Sequence, residues 1–176
     1  INLLEKIQPP HLATLYGAML AGVDAVIIGA GIPLQIPGAL AALAEHRPAR
    51  YRLDVAGAAG DEVHEMAFDP EAHWPGIAER VGPLRRPRFL PIVSSVILAQ
   101  TLQKRANGPV DGFVVEAPTA GGHNAPPRGA GALDERGQPV YGPRDEVDLA
   151  RLRELGVPFW LAGGYGGPGG LGRALA

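Results

Sequence analysis

VDGFVVEAPTAGGHNAPPR, residues 110–128, is the stretch on which the fold turns. It opens as a buried strand, with Val110, Phe113, Val114 and Val115, and ends in a polar turn that gathers two glycines, a histidine and three prolines. Gly121 and Gly122 free the backbone to take positive φ or to come close to a ligand. His123 follows them where the C-terminal end of a strand hands over to a loop. In barrels and open sheets of parallel strands, that end is where ligands bind. The rest of the chain reads as scaffold around this turn.

Working outward, strand-like runs alternate with helical patterns. Downstream, residues 129–144 form a long loop of glycine, proline and charge, and Asp145 is placed to cap a helix over 146–155. Arg151 and Arg153 near its end and Gly156 just beyond it suit the macrodipole and a C-terminal stop. A strand over Val157–Ala162 leads into GGYGGPGGLG (163–172) and the beginning of another helix. Upstream, Arg88–Val93 is a strand, and Ser94-Ser95 can cap a helix over Val96–Ala106. Earlier still come a strand at Ile1–Leu4, a helix over His11–Gly22 and a doubly buried strand at Val23–Gly29. A short alanine-rich helix over Ala39–His46 and a half-exposed strand over Tyr51–Ala56 follow. Asp61–Leu84 shows no sustained period and reads as irregular, with one short helix near Ile77–Arg80. Strand then helix, repeated, argues for an α/β fold with a parallel sheet. A (β/α)8 barrel needs eight strands and roughly 250 residues. Six candidate strands in 176 residues, with both chain ends inside elements, favour part of such a barrel.

Composition narrows the classes. Sixteen basic against eighteen acidic side chains leave a net charge of −2 with the signs interspersed, so neither a nucleic-acid footprint nor a polybasic membrane patch is present. Without cysteine there are no disulfides or thiolate metal sites, which fits a reducing, cytoplasmic setting. No apolar run reaches the ~18 residues of a membrane span.

The GGH turn reads equally as a tight loop whose histidine caps a carbonyl and as a proton-transfer site, since imidazole titrates near neutrality. His11, His46, His64 and His73 lack metal-ligand spacing and read as surface or structural residues. Gly164–Gly169, GYGGPG, fits G-x-G-x-x-G, but Pro168 stands where a dinucleotide-binding helix would begin. The looser reading is a glycine turn that lets a ring or phosphate approach the backbone. Glu116, late in its strand, points to the ligand end or is paired. Trp74 and Trp160 read as packing residues.

With these residues in place, the chain resembles the nitronate monooxygenase family, formerly called 2-nitropropane dioxygenases. The markers are INLLEK at 1–6, GAGIP at 29–33, VSSVILA at 93–99, TAGGH at 119–123 and LAGGYG at 161–166. The resemblance implies a fragment of a single FMN-binding TIM-barrel domain, spanning barrel strands three to seven, with residues 51–84 inserted before the fifth. It implies oxidation of alkyl nitronates by O2 to a carbonyl compound and nitrite, with His123 as the acid/base or anion-stabilising group beside the flavin. Asn2, Gly31, Ser94, Ser95, Gly121, Gly122, Gly163 and Gly164 are the implied cofactor contacts. Thr119 departs from the glutamate common before AGGH, which opens the choice of substrate. Related FMN enoyl reductases of fatty-acid and polyketide synthesis share both glycine turns. A non-catalytic phosphate- or nucleotide-binding module is the alternative from another class.

Overall fold

Short apolar runs bounded by turn residues do form the strands, and the amphipathic segments between them form helices. In the computed structural model, which describes residues 1–122, 124–129 and 133–176, the chain starts with β1 (Asn2–Leu4), α1 (His11–Leu20), β2 (Ala25–Gly29) and α2 (Ile36–Ala44). A hairpin, β3 (Ala49–Leu53) and β4 (His64–Phe68), follows with two short helices, α3 (Pro70–His73) and α4 (Ile77–Val81). Then come β5 (Arg88–Val93), α5 (Val96–Arg105), β6 (Phe113–Glu116), α6 (Leu149–Arg153), β7 (Phe159–Ala162) and α7 (Gly170–Leu175). The result is a mixed α/β fold.

Five strands build one sheet in the order β1-β2-β5-β6-β7, and every neighbouring pair is parallel. Each strand therefore lies beside the next sheet strand in the chain, and all the C-terminal ends fall on one edge. Side chains alternate across a strand. Val26, Ile28 and Phe89 pack with Leu12, Leu15, Leu40 and Leu43 of α1 and α2. Val93, Phe113 and Val115 pack with Ala99 and Leu102 of α5 and Leu152 of α6. Phe89 and Val93 are four residues apart on β5, so both cores occupy the same face of the sheet. A fully buried leucine or phenylalanine there contributes about 1.5–3 kcal/mol. The opposite face carries Ile27, Leu90, Ile92 and Val114, and it leaves Leu4 and Trp160 at 41% and 46% exposure. Trp160 is thus half exposed on that face, with its ring set against Gly112.

The hairpin stands outside the parallel sheet as an antiparallel pair. Ala49, Tyr51 and Phe68 turn inward and join the core beneath α1 and α2. Its edge groups are satisfied by side chains. Gln35 accepts from the Arg52 N–H at 2.8 Å and donates to the Arg52 carbonyl at 3.0 Å, and Gln8 accepts from the Asp54 N–H at 2.9 Å. The segment beyond is tied down by His46. Its Nε2 lies 2.7 Å from the Gly82 carbonyl, which can only accept, so Nε2 carries the proton and Nδ1 accepts from the Tyr16 hydroxyl at 2.7 Å. Burial, and secondarily the Glu71 carboxylate, push the Tyr16 phenol upward, which keeps it a donor. Trp74, also 46% exposed, stacks on Tyr16 with ring centres 5.9 Å apart.

Several expectations need correction. Residues 61–84 are not irregular, because β4 and α3 lie within them besides α4, the short helix expected near Ile77–Arg80. HEMAF places two polar residues before three apolar ones and shows no strand alternation in sequence, and its pairing with β3 is what makes it a strand. The helix expected over 146–155 is α6, capped by Asp148 through the Arg151 N–H at 3.1 Å. Asp145 closes a 3-10 turn over Pro143–Asp145 instead. α2 begins three residues earlier than expected, because Pro37 is tolerated in a first turn. Of the Ser94-Ser95 pair expected to cap α5, Ser95 does so, accepting from the Leu98 N–H at 3.1 Å. No helix among the described residues is long and apolar enough to cross a membrane. The Tyr16–His46 link yields a test. Tyr16→Phe leaves His46 Nδ1 buried without a donor and should lower the unfolding free energy by roughly 1–3 kcal/mol. An unchanged urea midpoint would show that this link does not hold the segment.

Candidate functional site at the C-terminal strand ends

The parallel arrangement brings five turns to one edge: Glu5-Lys6 after β1, Ala30-Gly31 after β2, Ser94 after β5, residues 117–129 after β6 and Gly163-Gly164 after β7. A cavity of about 190 Å³ opens there, lined by Lys6, Gly31, Ser94, Glu116 and Asn124 among others. A larger one of about 560 Å³ lies between the ends of β6 and β7 and the residues before α6. Its floor is apolar, with Val115, Val147 and Leu161, and its rim holds Thr119, Gly163, Gly164 and Arg173.

The turn after β6 is clamped from three sides. Glu116 accepts from the Ala125 N–H at 3.1 Å, and Asn124 donates to the Pro118 carbonyl at 2.9 Å. Tyr141 donates to the Ala125 carbonyl at 2.9 Å. Arg128 donates through its guanidinium to the carbonyls of Ser94 and Arg144, and through its backbone N–H to Asp145 at 2.7 Å. The other Asp145 oxygen accepts from the Gly142 N–H at 2.8 Å. These N–H groups, Gly142 first and Arg128 second, hold the Asp145 carboxyl below its ordinary value of 3.8.

Two glycine positions are set by close approach. A Cβ on Gly31 would come within 2.5 Å of Glu5 Cγ. Behind it Glu5 accepts from the Tyr51 hydroxyl, and its other oxygen lies 3.5 Å from His11 Nε2. Burial, followed by the Glu5 carboxylate, drives the Tyr51 phenol far above its usual range. Gly163 and Gly164 take φ of +98° and +78°, and a Cβ on Gly163 would meet the Ala120 N at 2.5 Å. The β6 and β7 turns are therefore packed backbone to backbone, with Thr119 Oγ1 3.0 Å from the Cβ position of Gly164.

The sequence-predicted residues separate into groups. Gly31 and Ser94 line the smaller cavity, and Gly163 and Gly164 line the larger. Gly121 and Gly122 are exposed, with open space around them. Ser95 spends its hydroxyl on α5. Asn2 begins β1 in the row Asn2–Ile27–Leu90, set back from the C-terminal edge and outside both cavities. His123 lies outside the described residues. Lys6, Asn124, Arg128, Tyr141 and Arg173 escaped the sequence reading. Only the Arg128–Asp145 charge pairing offered a signal, and sixteen residues of loop separate the two. No family model, curated protein or solved structure matches the chain.

The clamp predicts a pH signature. A carboxyl with a lowered folded pKa stabilises the clamp above its ordinary value and stops doing so as pH falls through the lowered one. Asp145→Asn should raise amide exchange in 124–129 at neutral pH and remove the loosening that the parent protein shows in strong acid. Equal exchange in both proteins at neutral pH would dismiss the clamp.

Proposed function

We propose that the chain belongs to a flavin-dependent oxidoreductase built on a (β/α)8 barrel, of the nitronate monooxygenase kind. A parallel sheet normally has both faces covered. Here the strands run in chain order, the helices cover one face, and the other is apolar and half open. Closure of such a sheet on itself would cover that face, as in a barrel. The observation that carries the functional reading is the meeting of the AGG turn after β7 with the TAGG turn after β6 at the ligand-binding edge, beside two cavities.

The residues fit FMN chemically. Polar groups ring the smaller cavity, and the turn after β7 offers backbone N–H donors, which suit an anionic group. FMN, when bound, supplies the electron chemistry between a nitronate and O2, while the protein orients and shields it. Gly163 and Gly164 would hold the cofactor's polar tail by their N–H groups. Ser94 and Glu116 would face its polar edge. The Arg128–Asp145 clamp would keep the β6 turn in place. His123, in that turn, would take a proton from a carbon acid when neutral or favour an anionic nitronate when charged.

The visible spectrum and oxygen uptake of the purified full-length protein test this reading. A yellow protein that consumes O2 with an alkyl nitronate is expected, and His123→Ala should lower kcat by roughly 100-fold or more while FMN is retained. A colourless protein that refuses added FMN would contradict both this reading and the enoyl reductase one. NADPH oxidation with an enoyl thioester in place of nitronate turnover would select the reductase.

A further inference from the structure

We propose that Arg173 is the side chain with which this site reads a phosphate monoester, the terminal group of its flavin; the inference rests on the flavin reading and adds the counter-charge that reading lacks. Three observations place it. The backbone N–H groups of residues 163–167 make no hydrogen bond to any described residue. Arg173 lines the same cavity as Gly163, Gly164 and Thr119. It bends back to the turn, with Nη2 at 3.4 Å from the Gly164 carbonyl.

That contact is long and uses one donor of a fork that carries five. Arg173, like several other arginines of the chain, pairs with no carboxylate among the described residues, and of these it is the one that lines this cavity. Glu146, the carboxylate at this cavity, forms no ion pair with a described residue either, so the guanidinium charge is uncommitted. Neutral N–H groups alone can hydrogen-bond a dianion but leave its charge standing. A guanidinium answers both needs, because its planar fork matches phosphate oxygens. The Thr119 hydroxyl, set against Gly164, is a further donor at the same place. α7 serves only to carry Arg173 into position.

Riboflavin, which is FMN without the phosphate, separates this role from flavin binding in general. Quenching of flavin fluorescence should show that the full-length protein prefers FMN to riboflavin. Arg173→Ala should weaken FMN by roughly 10- to 100-fold and leave riboflavin unchanged. Should that variant not fold, Arg173→Gln, which keeps length without charge, is read in the same way. Unchanged FMN affinity, or equal weakening of both flavins, would overturn the role of Arg173 while the flavin reading stands. If the parent protein binds neither flavin, the flavin reading fails. Inorganic phosphate followed by phosphorus NMR then decides alone: binding that disappears in Arg173→Ala keeps the anion site, and no binding overturns it.

Discussion

Parallel pairing in chain order is the constraint on which everything else depends. Because β1, β2, β5, β6 and β7 all run the same way, their C-terminal turns share one edge, and their connections must return along the face that carries the helices. The chemistry-bearing residues are scattered over more than 160 positions, from Lys6 to Arg173. Only this register gathers them.

Two local arrangements convert that edge from a row of loops into defined cavities. The Glu116, Asn124, Tyr141 and Arg128–Asp145 hydrogen bonds fold the β6 turn back over the end of β5. Backbone contact between Ala120 and Gly163 then locks the β6 and β7 turns together, and no side chain larger than hydrogen fits between them. At the other end of the sheet edge, Glu5 is wedged against Gly31 and anchored by Tyr51 of the hairpin. The hairpin therefore supports the β2 turn as well as the core.

Much of the fold was legible because buried strands write themselves as apolar runs. Arg88–Val93 has the predicted bounds, and Phe113, Val115 and Leu161 pack where their pattern placed them. β4 was not legible, since its polar residues His64 and Glu65 fall together instead of alternating with apolar ones, and only partnership with Tyr51 and Leu53 makes the segment extended. The start of α6 was misplaced because two aspartates, Asp145 and Asp148, could each cap a helix. The choice depends on Arg128, which arrives from a distant loop. Site residues divide in the same way. Glycine turns announce themselves locally, so Gly31, Gly163 and Gly164, which line the two cavities, could be named from the sequence. Arg173 gains its place only from how α7 turns back toward Gly164, and the position of Asn2 away from the edge follows from strand register.

Hydrogen exchange of the full-length protein with and without FMN tests the central claim most directly. Slowed exchange is expected only in the C-terminal turns: residues 29–34, 94–98, 117–122, 124–129 and 163–167. Slowing centred instead on the opposite ends of the strands, at 22–25, 85–88 and 109–112, or no difference at all, would contradict it.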